Sequence, residues 1–137
     1  MRRDERGTTT LWVLGLCMIV LFLGGLSLDL WRVITVRRSL VAMADAGATA
    51  GADGLDPKAL RRNEIALDPV IARADAESAL RAQSGWPTVE AADVAVTPGQ
   101  VTVTLQAHVS FTLLGIFVHG DPVTVRAAAS AQPQVEP

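Results

Sequence analysis

The stretch that decides the fold is residues 8–28, TTTLWVLGLCMIVLFLGGLSL, which contain no charged side chain. As an α-helix this run would be about 31 Å long, close to the hydrocarbon thickness of a bilayer. Trp12 and Trp31 stand near its ends, and indole rings favour the headgroup boundary. Asp29 follows the run directly, where the helix should leave the hydrocarbon because a buried charge is costly there. The sequence therefore predicts a transmembrane helix over residues 8–30, with Trp12, Asp29 and Trp31 at the membrane interfaces.

A secretory signal peptide is the main alternative to a membrane anchor. The first residues are basic, but a secretory apolar core of about 7–15 residues is shorter than this run. The best A-x-A cleavage motif is Ala42-Met43-Ala44, well beyond the apolar residues. We therefore expect the span to be retained, and a secreted soluble domain cleaved near Ala44 stays open as an alternative.

Charge divides the chain into a basic and an acidic part. Residues 1–40 carry six arginines and three acids, a net charge of +3, whereas residues 41–137 carry six basic and eleven acidic residues, a net charge of −5. An acidic distal part argues against a nucleic-acid partner, because phosphates require a basic surface. We expect the partners to be the membrane and other proteins.

No grouping of residues with catalytic or metal-binding spacing occurs in the sequence. Cys17 is the single cysteine, so neither an intrachain disulfide nor a cysteine-based metal site can form. His108 and His119 lack the companions that a zinc site needs. Phosphate-binding and nucleophile-elbow motifs are missing too. The sequence predicts no catalytic residue, no metal, no cofactor and no small-molecule substrate, and therefore no enzyme.

The helix is predicted to continue beyond the membrane. No proline occurs before Pro57, and apolar residues recur at helical spacing through residues 28–46. We predict one helix to about residue 52, in which residues 31–54 form an amphipathic stalk. Small residues in its last turns would let another protein approach closely, unless the glycines merely fray the helix end. This predicted helix-packing face consists of Ala44, Gly47, Ala48 and Gly51.

A small head with two helix starts is predicted over residues 55–131. Asp56-Pro57 and Asp68-Pro69 each combine a capping side chain with a proline suited to the first helical position. The second of these helices should end near Gly85 and bury one apolar face. That predicted face consists of Leu67, Val70, Ile71, Ala74 and Ser78.

The last part of the chain alternates apolar and polar residues with a period of two, which is typical of half-buried strands. We predict three antiparallel strands, near 91–97, over 100–110 and from Val123, on which a helix packs. In the first hairpin, Val96 should face Val101 and Val94 should face Val103. The fold class is therefore α+β: a long transmembrane and stalk helix, then one or two helices on a three-stranded antiparallel, pilin-like sheet.

Two segments of the head lie outside this pattern. The apolar segment 111–118 should pack under the sheet, touch the membrane or contact a partner. The tail, residues 132–137, is expected to be disordered.

The first fifty residues resemble the start of TadE/TadG-like proteins, pseudopilin-like components of tight-adherence (Flp-type) pilus systems. The resemblance rests on the charged tip ending in Arg6-Gly7, the long apolar helix, Asp29 near its end, and Ala44-Asp45-Ala46-Gly47-Ala48. Residues 101–111, VTVTLQAHVSF, and residues 123–133, VTVRAAASAQP, resemble the family more loosely.

The resemblance implies a structural component of a pilus or secretion assembly with no catalytic residue. Residues 1–7 would be cytoplasmic and the head extracytoplasmic, in the plasma membrane or in an extracellular pilus. Pilin-like or pilus-assembly proteins would be contacted through the N-terminal helix. A single-pass membrane-anchored binding module unrelated to pili is the alternative.

Processing of the N-terminus is a separate question raised by the resemblance. Prepilin-type processing would cut between Gly7 and Thr8 and would require a glutamate at the fifth mature position. Trp12 occupies that position. This departure from the family pattern favours an uncut span.

Overall fold

A single long helix carries the N-terminal part of the molecule. The computed structural model describes residues 5–111 and 122–134, and in it helix α1 runs over Glu5–Ala52. Its 48 residues correspond to a rod about 72 Å long. The absence of proline permits this continuity, and the predicted end near residue 52 is confirmed.

Two further helices begin at the predicted capping signals. Helix α2 spans Pro57–Leu60 and helix α3 spans Pro69–Arg81. Asp56 Oδ1 accepts a hydrogen bond of 2.8 Å from the backbone N–H of Lys58. Asp68 Oδ1 accepts two, from Val70 at 2.8 Å and Ile71 at 3.2 Å. These bonds satisfy backbone donors that lack partners within the first turn.

Three antiparallel strands form the sheet, in the order β1-β2-β3. They span Ala91–Thr97, Gln100–Val109 and Val123–Ala131. The predicted hairpin register is confirmed, because Val94 pairs with Val103 and Val96 pairs with Val101. The predicted α+β fold class is likewise confirmed.

The core of the head lies between one face of this sheet and the two longer helices. Val101, Val103 and Leu105 of β2 are fully buried. Leu40 of α1 and Leu80 of α3 complete the set of largest buried side chains. Because the core draws on residues of both the predicted stalk and the predicted head, the last turns of α1 are structurally part of the head.

The predicted apolar face of α3 is wrong except for Leu67, which precedes the helix and is buried. Val70 is 78% exposed and Ile71 is 40% exposed. The buried face instead consists of Ala72, Ala76 and Leu80, spaced by one helical turn. Alanines occupy most of the buried positions of α3 because α3 lies too close to α1 for longer side chains between them.

Some predicted features lie outside the described residues. This applies to most of the apolar segment 111–118, of which only Phe111 is described, to His119, and to the end of the tail from residue 135. The tip is described from Glu5, which already belongs to α1.

Candidate functional site

The first candidate site is the apolar surface of α1 between Leu11 and Trp31. Within residues 5–111 and 122–134, α1 is the one helix long and apolar enough to cross a membrane. Only 6% of its most apolar window is buried. A core helix of a soluble protein would be mostly buried, so this surface requires another apolar environment.

The three predicted interface residues differ in their surroundings. Trp12 is 78% exposed and Trp31 is 69% exposed, so both indoles are free to enter a headgroup layer. Asp29 is only 4% exposed, and one turn earlier Gly25 is buried as well. Asp29 also takes part in an interaction with another residue. Asp29 therefore lies on a covered strip of α1, while its neighbours Leu28 and Leu30 are exposed.

The second candidate site is the predicted helix-packing face, and the structure does bring its four residues onto one side of α1. Ala44 and Ala48 are completely buried. A Cβ atom on Gly47 would lie 2.9 Å from the side chain of Leu80. On Gly51 it would lie 3.0 Å from the carbonyl oxygen of Ala72. We call this contact between α1 and α3 the alanine–glycine seam.

The seam corrects the expectation that this face meets another protein. Its partners are α3 and the sheet of the same chain, as Gly51 shows by facing both Ala72 and Val101. Small side chains permit the close approach, as expected, but the approach is intramolecular. The idea that the glycines merely fray the helix end does not apply either, because Gly47 and Gly51 are buried within α1.

A cleft of about 360 Å³ lies between α3 and β1. Its charged groups are mostly engaged with one another or with the backbone. Arg73 Nη2 donates to the carbonyl oxygen of Val94 at 2.8 Å, and Arg81 pairs with Glu77 at 2.9 Å. Glu90 pairs with His108 across the hairpin. Of these contacts, the bond from Arg73 to Val94 ties α3 to the edge strand, and the sequence did not reveal it because the two residues are distant along the chain.

The cleft has no grouping that indicates a reaction. It mixes cations and anions, so its charge favours no single class of ligand. No cluster of three metal-ligating side chains is found among the residues that the structure describes. Cys17 is free and exposed on α1.

Comparison with known proteins adds one finding to this geometry. Residues 7–54 match the family model described as "Putative Flp pilus-assembly TadE/G-like". Over these residues the chain is similar to TadE/G-like proteins. The match confirms the resemblance found in the sequence, and it covers α1 from Gly7 to just beyond its end. No curated protein and no solved structure matches the chain.

The TadE/G-like segment thus includes two parts with different surroundings. Its first part is the exposed apolar surface, and its last turns supply α1's half of the alanine–glycine seam. The helices and strands after residue 54 lie outside the match, although the seam joins them to it.

Proposed function

We propose that this protein is a membrane-anchored, pseudopilin-like structural component of a Tad/Flp-type pilus or secretion assembly. The observation that carries the proposal is the exposed apolar surface of α1 within a TadE/G-like segment. Such a surface is stable in a bilayer or against other apolar helices. In this role the protein acts by anchoring and packing.

Retention of the span is favoured by the packing of the head. Leu40 is 1% exposed and Met43 is 4% exposed, both within the core. Cleavage near Ala44 would remove these two side chains and uncover the sheet beneath them. A secreted domain produced in that way would lose a considerable part of its core.

We further propose that the chain is not cut between Gly7 and Thr8. Helix α1 passes through this bond without interruption, and Trp12 replaces the acid that processing requires. Mass spectrometry of the protein from native membranes tests this point. A mature chain that begins at Thr8 would contradict it.

The proposed orientation places the N-terminal tip in the cytoplasm and the head outside. Ser130 is exposed on β3 and offers a labelling position. In a Cys17→Ser background, Ser130→Cys should react with a membrane-impermeant maleimide before the inner membrane is permeabilised. Labelling only after permeabilisation would show that the head lies in the cytoplasm and would contradict the proposed orientation.

Association with a pilus system is tested by isolation from native membranes in mild detergent. We expect co-purification with pilin-like or pilus-assembly proteins, and we expect it to be lost when residues 8–30 are replaced by an unrelated transmembrane helix. Membrane insertion without any such partner would favour a membrane-anchored binding module instead.

A further inference from the structure

We propose that the exposed side of the stalk binds a second copy of this chain, in parallel and displaced by seven residues. The site is an open groove of about 500 Å³ on α1, beside the alanine–glycine seam. Ile34, Arg37, Arg38, Val41, Ala42 and Asp45 of α1 line it, and Ala129 of β3 forms its wall on the head side. We call it the stalk groove. This inference deepens the proposed function, on which it rests, by naming the partner and the register.

The residues of the stalk groove lie on one side of the helix. Positions 34, 38, 41 and 45 recur at spacings of three and four, so their side chains fall within one narrow stripe. Ile34 is 42% exposed and Val41 is 45% exposed, although both are large and apolar. The stripe is therefore an unfilled apolar surface with charged groups beside it.

Two oppositely charged residues of the stalk groove, Arg38 and Asp45, are available to an incoming partner. Arg38 and Asp45 are both exposed, and neither forms an ion pair with any residue that the structure describes. They are seven residues apart on α1, a rise of about 10.5 Å that is too long for a direct contact. Each can be paired only by a group from outside this helix.

A second copy supplies the matching groups at one particular displacement. If two parallel copies are shifted by seven residues, Ile34 of one faces Val41 of the other, and Arg38 faces Asp45. Without a shift, Arg38 would face Arg38 and Asp45 would face Asp45, which like-charge repulsion disfavours. The same seven-residue spacing thus satisfies the apolar and the charged contacts together.

The leucines of the apolar part of α1 also match at this displacement. Leu16, Leu23 and Leu30 follow at the same seven-residue spacing on the same stripe, and each is more than half exposed. A shift by seven residues therefore keeps leucine opposite leucine along the span, as heptad spacing does in packed helices. The covered strip at Gly25 and Asp29 lies on the opposite side of α1 and does not interfere.

The head leaves the incoming segment accessible. The copy displaced away from the membrane presents one side of residues 27–38 to the groove, on which Leu30, Ile34 and Arg38 are exposed. Val33 and Val36, which pack against the core, lie on other sides of α1. Because the two surfaces in contact are different, the interface is heterologous. The contact can therefore repeat from copy to copy instead of closing a pair.

Disulfide trapping in native membranes tests the register. Two tagged forms of the full chain, both Cys17→Ser, carry Ile34→Cys and Val41→Cys respectively. We expect the mixed disulfide to exceed the two matched-position disulfides at least fivefold, because matched positions would be about 10.5 Å apart along the axis. Predominance of the matched-position disulfides, or no disulfide between copies, would overturn the proposal. The second result would leave a lipid or a different protein as the occupant.

Charge reversal tests the direction of the contact. Arg38→Asp in the Ile34→Cys form should reduce the mixed disulfide about tenfold, and Asp45→Arg in the Val41→Cys form should restore it. The same Arg38→Asp change in the Val41→Cys form is the matched control and should leave the yield within twofold. If Arg38→Asp lowered the yield of mixed disulfide equally in both forms, or if Asp45→Arg failed to restore it, the pairing of Arg38 with Asp45 would be overturned.

The outcome also separates this inference from the proposed function. Pilus-assembly partners that co-purify without any trapped disulfide would refute the stalk groove alone. A trapped mixed disulfide without pilus-assembly partners would refute the pilus assignment alone.

Discussion

The two ends of helix α1 have opposite surroundings although they belong to one continuous rod. From Leu11 to Trp31 its side chains are bulky, and most of them are exposed. From Leu40 to Ala52 many are small, and most of the side that faces the head is buried. The size of the apolar side chains therefore did not decide which part of α1 is buried. The bulky part suits lipid or partner helices, while the small part lets a second helix of the same chain pack closely.

The largest expected effect concerns the sheet surface beneath the packed part of α1. Val103→Asp should destabilise the head by several kcal/mol, because it places an unpaired carboxylate where the side chain is fully buried. Urea unfolding of the full chain in detergent micelles, monitored by proteolysis of the head, measures the change in the free energy of unfolding. Thr102→Asp, on the opposite face of the same strand and paired with the uncharged Ala95 and Ser130, is the control and should cost less than about 1 kcal/mol. Equal losses would break the assignment of the buried face.

A direct comparison of the two ends of α1 uses leucine truncation. Leu40→Ala should destabilise the head by about 3 kcal/mol, since Leu40 is 1% exposed and its removal leaves a cavity. Leu23→Ala should leave the stability of the head unchanged, because Leu23 is 55% exposed and lies in the other part of the helix. The same urea titration measures both variants. A loss from Leu23→Ala as large as that from Leu40→Ala would contradict the separation.

Two glycines show the same difference in surroundings at the scale of one methyl group. A Cβ on Gly54 would lie 2.6 Å from the backbone N and Cα of Ala72, which cannot move as a side chain can. Gly54→Ala should therefore cost about 2 kcal/mol through forced separation of α3 from the end of α1. Nothing lies within 4 Å of the corresponding position on Gly24, so Gly24→Ala should leave the head unchanged. Equal urea-unfolding midpoints for Gly54→Ala and Gly24→Ala would show that the contact between Gly54 and α3 tolerates an extra methyl group.

The features that could be predicted from the sequence depend on signals that are local in the chain. The length of α1 follows from the absence of proline, and the starts of α2 and α3 follow from Asp56-Pro57 and Asp68-Pro69. The hairpin register follows from alternation on both sides of the turn at Pro98-Gly99, because a shift by one residue would expose every buried valine. The TadE/G-like match, residues 7–54, covers the first of these features, α1.

The features that could not be predicted depend on contacts between distant parts of the chain. The face of α3 was misassigned because Val70 and Ile71 are more apolar than Ala72 and Ala76, and apolarity is what a periodicity argument weighs. The deciding factor was the short distance to α1, which the sequence of α3 does not contain. For the same reason, small residues on α1 predicted close packing but did not reveal that the partner is α3 of the same chain.

The smallest expected effect tests how α3 is held at the seam. Asp68 caps α3 through two backbone N–H groups, and its own N–H donates to the carbonyl oxygen of Gly54 at 3.0 Å. Asp68→Ala removes the side-chain acceptor but keeps the backbone bond, so we expect a loss of about 1 kcal/mol.

Two variants show whether that loss belongs to the cap. Asp68→Asn keeps a side-chain oxygen that can accept from Val70 and Ile71, and should recover most of the stability because asparagine caps about as well as aspartate. Asp75→Ala removes an exposed acid from the middle of the same helix and should change the midpoint of urea unfolding little. If Asp68→Asn were as destabilising as Asp68→Ala, the carboxylate charge near the helix N-terminus would be the source of the stability. The contact between α3 and the packed end of α1 would then depend on electrostatics more than on the geometry of its first turn.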